Sequence, residues 1–257
     1  MTIARFTYIG GPTALIEVAG LRFLTDPTLD PAGTDYPTPV YTLHKTQSPA
    51  LAAESLGKID VVLLSHDHHF DNLDHAGRDA LASAGIVLTT RGGAERLGGS
   101  AVGLVPWESK TLHSPDGRAL TVTATPARHG PEHGDRGPVI GFVLQSTAAA
   151  DPIIYFSGDT VWYDGVAEVG RRFDVDVAVL NVGAARVAVA GPYDLTFSAD
   201  DAVTLARAWP RATIVPLHYE GWTHFTQGRS DVSAAFAAAG LGDRIHWPTA
   251  GQPTTLV

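Results

Sequence analysis

The side chains best equipped for chemistry in this chain are histidines and aspartates, and four groups of them share one setting. His66, Asp67, His68, His69 and Asp71 follow the apolar run VVLLS, and His129 follows LTVTATPAR. Asp159, within SGDT, follows IIYFS, and His218 follows TIVPL. Each group begins just past the C-terminal end of a candidate strand. Open α/β sheets build sites there, because the loops leaving those ends converge on one crevice. Imidazole nitrogens and carboxylate oxygens brought to one sheet edge are the donors of a hydrolytic metal site, holding a divalent ion while leaving positions open for water.

Spacing refines the expectation. Residues two apart on extended backbone project to the same side, so His66 and His68 are expected to grip one ion. Asp71 enters the following helix, where it is expected to serve a second. Taken singly, each residue has a plainer reading: His129 as a loop residue, Asp159 as a turn cap, His218 as a satisfied core histidine. Their shared placement favours the metal. His69 stays open between ligand, support behind the ligands and helix cap. His44, His113 and His246 lack acidic neighbours in register and read as surface or packing residues. His75 is expected on the outer side of the first helix, with His133 and His224 on the pocket rim.

The elements that must carry these groups alternate. ALIEV and LRFLT, separated by Ala19 and Gly20, read as a hairpin. Residues 26–49 form a long Pro- and Thr-rich loop of the kind that often binds ligands. Beyond it, IVLTT, LTVTATP, VIGFVLQ, IIYFS, VAVL and TIVPL read as strands. Helical spacing covers residues 73–84, 198–209 and 230–239, with Ser198 as N-cap ahead of Asp200 and Asp201. Strands in runs and alternating with helices predict an α/β layered chain. No linker or repeat interrupts it, so residues 1–257 are expected to form one domain.

Composition sets the outer bounds. Of 257 residues, 44% are hydrophobic and 18% charged, and the formal charge is −9, which excludes a disordered chain and argues against a basic nucleic-acid face. No uncharged stretch reaches the ~20 apolar residues of a membrane helix. With no cysteine, disulfides, thiolate nucleophiles and iron–sulfur ligation are absent. The N-terminus, MTIARFTYIGGPT, has no apolar leader and reads as that of a mature cytoplasmic protein.

The strings YIGGPTALIEVAGLRFLTDP, LLSHDHHFDNLD, TPARHG, YFSGDT and VPLHYEGW resemble the metallo-β-lactamase superfamily. Within it, they are similar to the branch of L-ascorbate-6-phosphate lactonases and N-acyl-phosphatidylethanolamine phospholipases D. The resemblance implies a four-layer αβ/βα sandwich with the site at one edge between two sheets. It implies two divalent ions, with His66, His68 and His129 at the first, Asp159 bridging and His218 at the second. The family motif H-x-H-x-D-H is here H-D-H-H-F-D-N, with one extra residue. Asp71 then stands for the motif's Asp, and its last His falls on Asn72 or passes to His69. With Asn72 there, the second site would be oxygen-rich, weaker, and suited to manganese or magnesium, beside zinc at the first.

This reading implies a hydrolase that uses metal-activated water on a small ester, lactone or phosphoester. Asp71 would transfer protons and Asp159 would orient the site. Trp162, Arg186, Tyr219, Trp222 and His224 are candidate substrate contacts, with Tyr163, Tyr193 and Phe225 as further aromatic surface. Arg128 and Arg136 join Arg186 as candidates for holding an anion. The alternatives are a phosphodiesterase acting on nucleotides or phospholipids, and a non-catalytic metal-binding module. The expected partner is a small molecule, and homo-oligomers are common in the superfamily.

Overall fold

The computed structural model describes residues 4–133 and 135–256. The chain opens with β1 (Ala4–Gly10), β2 (Thr13–Val18) and β3 (Leu21–Thr25). Positive φ at Ala19 (53°) and Gly20 (78°) supplies the two-residue turn whose twist suits an antiparallel pair, so the expected hairpin forms. Residues 26–49 are not structureless. They contain a further hairpin, β4 (Asp35–Pro37) with β5 (Thr42–His44). Across it, His44 Nδ1 lies 2.7 Å from Asp35 Oδ1, so His44 does have an acidic neighbour in register.

There follow β6 (Val61–Leu63), α1 (His75–Ala80), β7 (Ile86–Thr90), α2 (Arg91–Leu97) and β8 (Ala101–Leu104). Next come β9 (Ser109–His113), β10 (Ala119–Pro126), β11 (Ile140–Ser146) and β12 (Ile154–Phe156). The chain continues through α3 (Asp164–Arg172), β13 (Val177–Asn181), α4 (Ala199–Ala208) and β14 (Thr213–Leu217). It closes with α5 (Arg229–Ala238) and β15 (Pro253–Leu256).

One sheet has the order β15-β1-β2-β3-β6-β7-β8 and the other β14-β13-β12-β11-β10-β9. In the second, β10 and β12 both run antiparallel to β11, while β13 and β14 run parallel to β12. Hence β10, β12 and β14 all point the same way, and His129, Asp159 and His218 leave from one edge. That topology is what gathers residues ~90 positions apart.

The sheets pack face to face through Phe6, Phe23 and Leu63 on one side and Val122, Phe142, Phe156 and Val179 on the other. Each such side chain stabilises the fold by roughly 1.5–3 kcal/mol. On the outer face of the second sheet, Val166, Val169, Leu205, Val232 and Phe236 of α3, α4 and α5 cover Tyr155, Ala178 and Ile214. On the outer face of the first, Leu73 and Leu81 meet Leu24, Val62 and Val87. The order is helix–sheet–sheet–helix, the αβ/βα sandwich. Among the described residues, no helix is long and apolar enough to cross a membrane.

Ser198 caps α4 as expected. Its hydroxyl accepts from Asp201 N at 3.1 Å, and Asp201 returns the bond to Ser198 N at 3.2 Å, a reciprocal capping box. The helix expected over 73–84 is shorter, because Asp74 caps α1 and a 3₁₀ turn, Leu81–Ser83, ends it.

Candidate metal centre

Directly after β6 the backbone leaves the extended state. Buried Asp26 takes hold of it: Ser65 donates its N–H at 2.6 Å and its hydroxyl at 2.7 Å, and Asn72 donates its amide at 3.0 Å. Burial lifts the Asp26 carboxyl to about 7 against the pull of these donors. Asn72 thus gives its amide N–H to Asp26, while its Oδ1 is buried without a hydrogen-bond partner. Leu73 N then bonds His69 O at 3.0 Å, a helical closure. Strand alternation no longer applies, and residues three apart come to face one another.

The outcome is a triad of His66, His69 and His129. His69 Nδ1 stands 3.0 Å from His66 Nε2 and 3.2 Å from His129 Nε2. His129 Nδ1–H donates to Leu195 O at 2.7 Å, so its Nε2 carries the lone pair. Ser65 gives its proton to Asp26 and so accepts from His66 Nδ1–H at 2.9 Å. The His66 Nε2 lone pair thus faces the same point. Burial, reinforced by the neighbouring imidazoles, holds His66 well below its ordinary pKa and His69 down to about 3. His68, expected as a ligand, is exposed, and its Nε2–H donates to Arg136 O at 2.9 Å. His69 occupies the place assigned to it.

A second triad joins Asp71, His218 and His224. Asp71 Oδ2 lies 2.9 Å from His224 Nε2 and 3.6 Å from His218 Nε2. His224, expected only on the rim, supplies the imidazole that Asn72 does not, so this cluster is richer in nitrogen than an Asn72 ligand would make it. His218 sits at φ 53°, a strained backbone for a non-glycine residue, and such strain concentrates at functional sites.

Asp159, fully buried, reaches both triads. Its Oδ1 accepts from Asn181 at 2.7 Å and stands 3.0 Å from His218 Nδ1, while Oδ2 lies 3.7 Å from His129 Nε2. The backbone permits this because Gly158 takes φ +57°, and a Cβ there would come 2.6 Å from Ser65 Cβ. Burial raises the carboxyls of Asp71 and Asp159, but the adjoining imidazoles outweigh it and hold both well below the usual carboxylate range. Burial lowers His218, and Asp159 outweighs that, raising it.

Asp159 Oδ2 and His218 Nε2 are buried without a hydrogen-bond partner. Left so, each costs about 1–3 kcal/mol. With the converging lone pairs of the first triad, they form a donor set completed by cations, and the residues fit divalent metal.

The shifts predict acid lability of the metal-free protein. Folded His66 and His69 stay neutral, whereas unfolded they take a proton near the ordinary ~6.5. Their contribution is complete above that pH and is lost as pH falls toward about 3, because the unfolded chain then binds more protons. Asp71 and Asp159 are lost in the same direction at lower pH. Raised Asp26 and His218 act oppositely, their shares fading as pH rises past their folded pKa values, about 7 for Asp26. With the opposing carboxyl removed in Asp26→Asn, urea midpoints should fall between pH 6 and pH 4.5; a flat profile in that variant would contradict buried neutral imidazoles.

A small cavity opens onto both triads, walled by Tyr41, Leu43, Arg136, Val187 and Leu195. Of the candidate substrate contacts, His224 and Arg136 line it. Trp162 and Tyr219 pack into the core beneath α3–α5, on the far face of the second sheet. Trp222 is buried against Tyr36 and Leu43. Arg186 is paired with Asp194 at 2.6 Å, and its backbone N–H holds His224 O at 2.9 Å. Tyr41 was not singled out by the sequence; the signal was only its place in the long 26–49 loop.

Residues 21–219 match the family described as a β-lactamase superfamily domain. The UPF0173 protein YddR of Bacillus subtilis is 25% identical over 262 residues, covering 97% of this chain and 99% of that protein. A UPF0173 metal-dependent hydrolase of Pelotomaculum thermopropionicum is 30% identical over 196 residues, 71% of this chain and 76% of that one. Among solved structures, an isothiocyanate hydrolase from Delia radicum gut bacteria superposes with a TM-score of 0.83 at 24% identity, covering 98% of this chain and 99% of that one. The chain belongs to the metallo-β-lactamase superfamily, in the family of UPF0173 metal-dependent hydrolases.

Proposed function

We propose that this chain hydrolyses a small ester, lactone or phosphoester with two divalent ions held by the two triads. The observation that carries the proposal is Asp159, whose carboxylate touches His218 on one side and approaches His129 on the other. His66, His69 and His129 would hold the first ion, and Asp71, His218 and His224 the second, with Asp159 between. Ions so placed acidify water toward neutrality and polarise a carbonyl or phosphoryl oxygen.

The chain's own groups set the rest. Asp71, gripped by two imidazoles, serves as an anionic ligand and not as the proton carrier first expected. Asp159 Oδ2, free of hydrogen-bond partners, would face the ions, while Asn181 holds Oδ1 at 2.7 Å and so orients the carboxylate. Leu43, Val187 and Leu195 exclude bulk solvent, which strengthens every electrostatic contact inside. Imidazole-rich surroundings favour zinc at both positions, and the motif strings favour the lactonase-like branch.

The test is metal analysis together with a substrate panel: a lactone, p-nitrophenyl esters, phosphomonoesters, phosphodiesters and an isothiocyanate. Turnover of a lactone, ester or phosphoester that chelator abolishes and zinc restores is the expected result. Activity on the isothiocyanate alone, or activity indifferent to chelator, would overturn it.

A further inference from the structure

We infer that the substrate carries an anionic group, a carboxylate or phosphate, which Arg136 and Tyr41 bind at the mouth of the metal centre. This rests on the hydrolase reading of the same site and adds the substrate class.

Three arginines were candidates for an anion, and their surroundings separate them. Arg186 is neutralised by Asp194, and Arg128 places its Cζ 4.5 Å from the centroid of the Tyr163 ring. Arg136 lines the cavity that His69, Asp71, His129 and His224 share. Tyr41 lines the same cavity, the Arg136 charge there partly offsets the rise that burial and Asp71 impose on its phenol, and no ion pair to Arg136 occurs among the described residues. A half-buried guanidinium beside a phenol, with no carboxylate of its own, presents a planar fork of donors to a carboxylate or phosphate.

The backbone shows that Arg136 is held in place. Its N–H donates to His129 O at 2.8 Å, and its carbonyl accepts from His68 Nε2–H at 2.9 Å. The Arg136 backbone is thereby tied to both segments that carry the first triad. This gives exposed His68 a function: it is a positioning residue for Arg136.

The neighbourhood describes the remainder of the substrate. Leu43, Val187 and Leu195 make one wall apolar. Among the described residues, three of the four exposed large hydrophobic side chains, Val40, Val189 and Tyr193, lie within two residues of wall residues Tyr41, Val187 and Leu195. The anion is therefore attached to an apolar body that extends past the rim.

The test pairs p-nitrophenyl butyrate with mono-p-nitrophenyl glutarate, similar in reach but differing in terminal charge. The wild-type enzyme is expected to show the lower KM for the glutarate ester. Arg136→Gln should raise that KM roughly 10–100-fold, the scale of one lost charge-assisted pair, and bring the ratio of the two KM values toward one. Arg136→Lys should restore part of the preference. Calorimetric binding of glutarate to the metal-loaded protein supplies a readout independent of turnover, and should weaken by a similar factor in Arg136→Gln with metal content unchanged. Equal KM values in the wild type, or glutarate binding indifferent to Arg136→Gln, would overturn the inference. If neither ester is hydrolysed, the ester reading fails on its own, and the glutarate titration still decides the role of Arg136.

Discussion

Replacing His69 with alanine should strip the first metal position and abolish turnover, whereas His68→Ala should keep its metal. Neighbouring residues of one type are thus expected to behave oppositely, which makes the pair more informative than any single ligand variant. His69 Nδ1 is within 3.2 Å of two other imidazole nitrogens, while His68 spends its Nε2–H on a carbonyl. Loss in His69→Ala should exceed the ~10–100-fold typical of groups that only support a ligand. In His68→Ala the change should appear in the KM for anionic substrates, through Arg136. Plasma emission analysis of both purified variants checks the metal, and steady-state kinetics the rest. Loss of zinc from His68→Ala with retention in His69→Ala would reverse the assignment.

The second large effect concerns stability. Lys45 and Asp74 form an ion pair at 2.7 Å with side chains 4% and 0% exposed. Asp74 also accepts from Leu29 N at 2.8 Å, Asp30 N at 2.7 Å and Gly77 N at 2.8 Å. One carboxylate therefore fastens the 26–49 loop to the start of α1, directly beyond Asp71. Lys45→Met leaves this carboxylate buried without its cation, which typically costs about 3–5 kcal/mol. For a chain of this size, that corresponds to a fall in Tm of roughly 6–15 °C. The β4–β5 hairpin bearing Tyr41 and Leu43 should loosen as well. Thermal unfolding of the metal-loaded protein measures the effect, and a fall of under about 2 °C would show that the pair contributes little.

Much of the architecture was legible because it rests on local patterns. TIVPL is β14 residue for residue, and the turn at Ala19 and Gly20 set the β2–β3 hairpin. The polar groups following VVLLS, LTVTATP, IIYFS and TIVPL marked the crevice, and His66, His129, Asp159 and His218 do meet there. What could not be read depends on tertiary contacts. The exchange of His68 for His69 follows from Asp26 bending the chain after β6, through bonds spanning 39 positions. His224 returns to Asp71 because two isolated bridges, Lys45 to Trp222 and Ala185 to Phe225, fold its loop back. The α3 helix carries two glycines, poor helix formers. Burial of Val166 and Val169 sustains it, and Gly170 lets Trp209 pack against it.

The most direct test is anomalous diffraction at the zinc edge from crystals of the zinc-loaded protein. Two peaks are predicted, one with His66, His69 and His129 nitrogens at about 2.0–2.1 Å, the other bounded by Asp71, His218 and His224, with Asp159 between them. A single peak ligated by His68, or no peak within reach of either triad, would contradict the account.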